Sequence, residues 1–257
     1  MTTGTRADAA AGGTAPAGGD APLLEADGIV VRFQGLTAID DVEFSLDSGR
    51  IVGLIGPNGA GKTTLVNVLT GFQAADAGTV QLAGKDITGH SPQRRARNGV
   101  ARTFQGSRIF ADMSVSENVE VSCVGVGLRR AAAAERAAEA LELLGLNDLA
   151  SRLASDLSTG QERRLQVARA VAMRPRCLFL DEPAAGLNEA ETDELVQVIA
   201  GLPGEVGCGV VLIEHDMRVI MGLCERIVVL DTGRVLMVGT PAEVRSNRAV
   251  IDAYLGS

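Results

Sequence analysis

From residue 23 onward, the chain alternates short apolar runs with Gly-marked turns and helical periods. Leu24–Phe33 and Val42–Leu46 are predicted strands, and Gly49-Arg50 marks a turn. Ile51–Ile55 is a continuous apolar run of strand length, the pattern of a strand buried on both faces. It ends in the Gly-rich stretch Gly56–Gly61, after which a helical period starts at Lys62 and carries Leu65, Val68 and Leu69. Thr79–Leu82 predicts another strand. Between residues 106 and 157 the character is helical, with an Ala-rich amphipathic segment over Ala131–Leu144. Strands return at Cys177–Leu180, Val210–Ile213, Ile227–Leu230 and Val235–Val238, with Gly233 between the last two as in a hairpin. Strand and helix in alternation predict an α/β fold with a mainly parallel, covered sheet, and the block at about 106–157 reads as an inserted helical subdomain. No internal repeat is visible.

Residues 1–22 break this pattern. They hold seven Ala, five Gly, four Thr and two Pro, and no Val, Ile, Leu or Phe. Such a stretch cannot offset its ordering entropy by burial, so it predicts a disordered tail. It also lacks the apolar region of a signal peptide. Residues 23–257 are then left as the folded domain. With 257 residues, 46% apolar and 22% charged, the chain can build a core without disulfide or metal staples. Full-length disorder and a fibrous repeat are excluded. A net charge of −8, no Trp and one Tyr point away from general nucleic-acid binding. No apolar run approaches the roughly 20 residues of a bilayer-crossing helix. The cysteines, at 123, 177, 208 and 224, have no C-x-x-C spacing and predict reduced thiols rather than a zinc site or disulfide framework.

Two motifs carry chemistry. Gly56-Pro57-Asn58-Gly59-Ala60-Gly61-Lys62-Thr63 matches G-x-x-x-x-G-K-[ST] in the context that the motif needs, after a strand and before a helix. Glycines let backbone N–H groups wrap phosphates, and a helix N-terminus adds its positive dipole end. Lys62 would neutralise β- and γ-phosphates, Thr63 would offer its hydroxyl to Mg²⁺, and Thr64 would sit nearest the α-phosphate. The second motif is Cys177–Pro183, an apolar strand ending in adjacent carboxylates. Asp181 would hold Mg²⁺ through water and Glu182 would orient or deprotonate an attacking water, since carboxylates at strand C-termini face the ligand crevice. Together they predict a P-loop nucleotidase that binds a nucleotide with Mg²⁺, without saying what its energy drives.

Leu157-Ser158-Thr159-Gly160-Gln161, about twenty residues before the acidic strand end, resembles the signature motif of ABC ATPases. Other marks of that family stand around it in family order. Gln105 sits where the Q-loop glutamine does, Asn188 in the D-loop, His215 at the switch histidine, and Phe33 where an aromatic stacks on adenine. His90, the second histidine of the chain, reads as a surface residue. The resemblance implies a P-loop ABC cassette: a RecA-like, mainly parallel core with an antiparallel β subdomain and an inserted helical subdomain. It implies a head-to-tail dimer in which each ATP lies between the phosphate loop of one subunit and the signature of the other. Ser158, Thr159, Gly160 and Gln161 would then act in trans, on a helix beginning at about Gln161. Gln105 would bind Mg²⁺ and report nucleotide occupancy, while His215 would hold the γ-phosphate and order Glu182. Thr159 and Asn188 depart from the commoner Gly and Asp, which implies two unequal composite sites.

Arg102–Gln105, Pro183–Asn188 with Glu191-Thr192, Leu212–Met217 and Ala253–Gly256 are similar to the LivG-type ATPases of the branched-chain amino acid (HAAT) importer family. The tail and a shortened loop near Cys123–Ala131 are departures. The similarity implies a second ABC ATPase as partner, two transmembrane permease subunits, an extracytoplasmic solute-binding protein, no nucleic acid, and a peripheral place on the cytoplasmic face of the membrane. A repair or translation ABC protein would carry coiled-coil insertions, zinc hooks or tandem cassettes. A P-loop kinase would have no use for Ser158.

Overall fold

The structure, a computed structural model, describes residues 21–104, 106 and 109–255. All but the last two residues of the predicted tail, and the Q-loop assignment to Gln105, lie outside the described residues.

The chain opens with β1 (Leu24–Phe33), β2 (Leu36–Leu46), β3 (Ile51–Ile55) and α1 (Lys62–Thr70), then β4 (Ala77–Leu82) and β5 (Lys85–Asp86). Next come α2 (Pro92–Arg97), β6 (Val100–Arg102), α3 (Val115–Gly125), α4 (Arg130–Leu143) and α5 (Thr159–Val171). The last part holds β7 (Cys177–Asp181), α6 (Glu189–Val206), β8 (Gly209–Ile213), α7 (Met217–Leu223), β9 (Arg226–Asp231), β10 (Arg234–Gly239), α8 (Pro241–Ser246) and α9 (Arg248–Leu255). Two sheets result. One is antiparallel, in the order β2-β1-β4-β5, and the other runs β10-β9-β3-β8-β7-β6 with only β10 antiparallel.

The period-two alternation of the central strands sorts their side chains between two cores. Val52, Leu54, Phe179, Val211 and Ile213 face α1 and the antiparallel sheet, whereas Ile51, Ile55, Leu178, Leu180, Val210 and Leu212 face the helices on the other side. All four cysteines are buried and free. Burial pushes the thiols of Cys177 and Cys224 up to about 12 and that of Cys208 to about 11, because an apolar surround disfavours the thiolate.

Three hairpins close with two residues of positive φ, Gln34-Gly35, Ala83-Gly84 and Thr232-Gly233, whose twist matches the flanking strands. The first of these carries β2 back to Leu36, six residues earlier than the predicted Val42. The helical character expected from residue 106 begins at α3, and α5 packs on α3 and α4 as well as on β6 and β7. The helical layer therefore continues past residue 157. It ties the signature segment to both the sheet and the insert. α1 is closed at its C-terminal end by the buried Arg95, which donates to the carbonyls of Val68 and Leu69, both at 2.7 Å, and to Thr88 O at 2.9 Å. No helix among the described residues is long and apolar enough to cross a membrane.

Candidate active site

The C-terminal ends of β3, β8, β7 and β6 lie side by side in the six-stranded sheet. They deliver, in that order, the Gly-rich loop, Glu214-His215, Asp181-Glu182 and Arg102-Thr103-Phe104 to one edge. Four adjacent strands thus bring together segments as far apart in sequence as Gly56 and His215, at the place where open α/β sheets bind ligands.

The loop after β3 is shaped by close approach. Gly56 has φ 152° and a Cβ there would stand 2.1 Å from Leu230 O. Gly61 has φ 101° and a Cβ would meet Ile39 Cδ1 at 2.7 Å and Ala38 O at 2.8 Å. Only glycine fits either position. Gly61 is also the N-cap of α1 and supplies no side-chain acceptor, and the first intrahelical bond is Leu65 N–H to Gly61 O at 2.9 Å. The amides of Lys62, Thr63 and Thr64 therefore precede the helix ladder and suit an anion. Asn58 and Gly59 are exposed, Pro57 is half-buried and Ala60 is buried. Lys62 is 8% exposed, and its Nζ donates to Gly56 O at 2.6 Å and Pro57 O at 3.0 Å. Burial lowers its pKa, opposed by the charges of Glu182 and Asp181. Thr63 is exposed on the first turn.

Asp181 ends β7 and is buried. Its Oδ2 accepts from Arg102 Nη2 at 2.9 Å, and its backbone N–H donates to Thr103 Oγ1 at 3.0 Å. Glu182 follows with φ 48°, outside the usual region for a non-glycine residue, and its N–H is tied to Ile213 O at 2.8 Å. This turn aims the carboxylate at β8, where His215 Nε2 lies 2.9 Å from Glu182 Oε1. An ionised carboxylate only accepts, so the contact sets the imidazole proton on Nε2. Glu214 is buried; it accepts from Ala184 N–H at 2.8 Å and His215 N–H at 3.2 Å. Burial raises its pKa, countered in part by those backbone bonds. It clasps the backbone on either side of the Glu182–His215 pair.

The signature segment is built as a helix cap. Ser158 Oγ accepts from Gln161 N–H at 3.3 Å, and Gln161 Oε1 accepts from Ser158 N–H at 3.0 Å. This capping box starts α5 at Thr159, two residues before the expected start at Gln161. The Ser158 hydroxyl still has its proton to donate. Asn188 forms the same box with Glu191 at the start of α6. The two caps touch: a Cβ on Gly160 would meet Glu191 Oε1 at 2.8 Å, and one on Gly186 would lie 3.9 Å from Thr159 Cγ2. Arg163 of α5 donates to Ala185 O through Nε and Nη2 at 3.2 and 3.1 Å. Phe33 ends β1 with 46% of its surface exposed, so it is not a core residue and its ring is open to a stacking partner.

Sequence reasoning singled out neither Arg102 nor Glu214. Both stand within the quoted motif strings, but their partners lie 79 and 30 residues away.

A family model described as ABC transporter matches residues 39–185, and one described as branched-chain amino acid ATP-binding cassette transporter matches residues 234–257. The high-affinity branched-chain amino acid transport ATP-binding protein LivG of Escherichia coli (strain K12) is 46% identical over 250 residues, covering 91% of this chain and 98% of its own. Its counterpart BraF of Pseudomonas aeruginosa is 44% identical with the same coverage. The lipopolysaccharide export system ATP-binding protein LptB of Acidithiobacillus ferridurans is 36% identical, covering 91% of this chain and 97% of its own. Among solved structures, the ADP conformation of an ATP-binding cassette of an ABC transporter overlays with a TM-score of 0.84 at 30% identity, covering 92% of this chain and all of that one.

Proposed function

The chain belongs to the ABC transporter family of ATP-binding subunits, and from that premise we propose that it energises an importer of branched-chain amino acids or related polar solutes. The observation that carries the ATPase chemistry is the meeting, at one sheet edge, of an uncapped helix N-terminus, a buried lysine and the Glu182–His215 pair. The cargo reading is supported by the branched-chain transport relatives and by the match over residues 234–257.

In this reading the amides after Gly61 bind the phosphate chain of ATP. Lys62 exchanges its bonds to Gly56 and Pro57 carbonyls for phosphate oxygens, a gain in charge pairing that its partly desolvated ammonium favours. The exposed Thr63 hydroxyl and the Asp181 carboxylate are hard oxygen donors of the kind Mg²⁺ selects. Gln105 completes that proposed set. Mg²⁺, when bound, neutralises charge developing on the β- and γ-phosphate oxygens. Glu182 positions the attacking water and accepts its proton. His215 orders that carboxylate through its Nε2–H, and when ATP is bound the same N–H turns to hold the γ-phosphate. Phe33 stacks on adenine.

Ser158, Thr159, Gly160 and Gln161 are proposed to close on the ATP of a second cassette. The Gly160–Glu191 contact passes that closure to Asn188 and the start of α6. A second cassette, a different subunit with a second copy of this chain as the alternative, two permease subunits and a solute-binding protein complete the assembly, and the chain sits peripherally at the cytoplasmic face. Residues 23–257 act as one ATPase unit with the insert at about 106–157.

The test is reconstitution in vesicles with the partner cassette, permeases and binding protein. ATP turnover stimulated by leucine-loaded binding protein, with labelled leucine uptake, is the expected result. Turnover that no branched-chain amino acid stimulates, with stimulation by a different solute, would overturn the cargo.

A further inference from the structure

Asp181 is among the most buried carboxylates of the described residues, and Arg102 is the cation in direct contact with it, while Lys62 acts on it through charge alone. The Arg102 and Asp181 side chains are 8% and 9% exposed and meet at 2.9 Å. Lys62 is bonded to loop carbonyls. Arg102 is itself held from three sides. Nη1 donates to Asn67 Oδ1 on α1, and the guanidinium carbon lies 5.1 Å from the Phe104 ring centroid and 5.9 Å from that of Phe72. Its Nε is buried without a hydrogen-bond partner. A guanidinium kept here despite an unmet donor costs desolvation, and what it gains is the carboxylate.

Asp181 is also the carboxylate assigned above to the divalent ion. Two cations directed to one buried carboxylate oppose each other, by charge and by demand for the same oxygen lone pairs. We propose that Arg102 is a positioning residue that serves as the counter-ion of Asp181 in the metal-free cassette and competes with the divalent cation for it. Arrival of metal with nucleotide then loosens Arg102 from Asp181. Because Arg102 also touches Asn67 of the P-loop helix and Phe104 beside Gln105, that release is felt by both. The inference rests on the reading of Asp181 as the metal carboxylate.

The experiment is titration of Mn²⁺, followed by its electron paramagnetic resonance, into the full-length protein with a non-hydrolysable ATP analogue. Asp181→Asn tests the underlying reading: unchanged Mn²⁺ affinity would remove Asp181 as a ligand, whatever Arg102 does. With that control weakened as expected, Arg102→Met should bind Mn²⁺ about fivefold tighter or more, the lower range of coupling between competing ligands. Its metal-free form should melt lower. Arg102→Lys, which keeps the charge, should stay near wild type in affinity. Unchanged or weaker Mn²⁺ binding by Arg102→Met, or equal tightening by Arg102→Lys, would overturn the competition. If Arg102→Met does not fold, Arg102→Gln is read by the same criterion, since it keeps a donor and loses the charge.

Discussion

Replacing Glu182 by Gln and His215 by Ala, singly and together, tests whether the two act as one device. Gln keeps the shape of Glu182 but cannot take a proton from water, so phosphate release should fall by the roughly 10²–10⁴-fold credited to a positioned acid or base, about 2.7–5.4 kcal/mol of barrier. His215→Ala removes a 2.9 Å contact to a carboxylate. A hydrogen bond to a charged group contributes about 1.5–3 kcal/mol, which corresponds to a roughly ten- to hundredfold loss. If His215 acts largely by holding Glu182, the double variant should be far less impaired than the product of the single losses, by about tenfold or more. ATP affinity should stay near wild type in Glu182→Gln, because Lys62, Thr63 and Asp181 are untouched. Single-turnover phosphate release alongside equilibrium nucleotide binding gives both numbers. Strictly multiplicative losses would separate the two residues, and undiminished release by Glu182→Gln would remove it from catalysis.

Lys62→Ala should weaken ATP binding by the isolated chain, whereas Ser158→Ala should spare it and reduce assembly with a partner cassette; fluorescent-nucleotide titration and gel filtration with MgATP distinguish the two. Gly61→Ala forces a Cβ to within 2.7 Å of Ile39 and 2.8 Å of Ala38 O at positive φ, so nucleotide binding should be lost and the melting temperature should fall. Arg95→Leu takes the guanidinium donor from the carbonyls of Val68 and Leu69; Val68 O keeps the Gly71 N–H at 3.1 Å, so the cost of about 1–3 kcal/mol for an unmet group falls on Leu69 O. Calorimetry should record a drop of several degrees, with the ATP affinity of the folded protein retained.

Much of the architecture is legible where local pattern and burial agree. Ile51–Ile55 is apolar throughout because the strand is covered on both faces, and the Gly-rich loop ends where α1 begins. The Ala-rich helix differs from expectation by one residue at each end. What escapes has short elements or distant partners. β6 is three residues long, too short for any period, and the roles of Arg102 and Arg95 depend on groups brought near by sheet order. The start of α5 was accessible: Ser158 followed three residues later by Gln161 is a capping box, and weighing that spacing places the helix at Thr159. The Gln34-Gly35 turn hid because glutamine seldom adopts positive φ, which cost β2 its first half.

The burial of every cysteine has a practical side. Thiol reagents attack the thiolate, and an apolar surround that lifts Cys177 and Cys224 to about 12 leaves almost none of it at neutral pH. Maleimide dyes and spin labels added to the folded cassette therefore meet a chemically silent background. A cysteine introduced at the exposed Leu36, on the β1–β2 hairpin, would be the reactive one. Distances from that hairpin to a labelled partner cassette can then be followed through the ATP cycle with all four native cysteines in place.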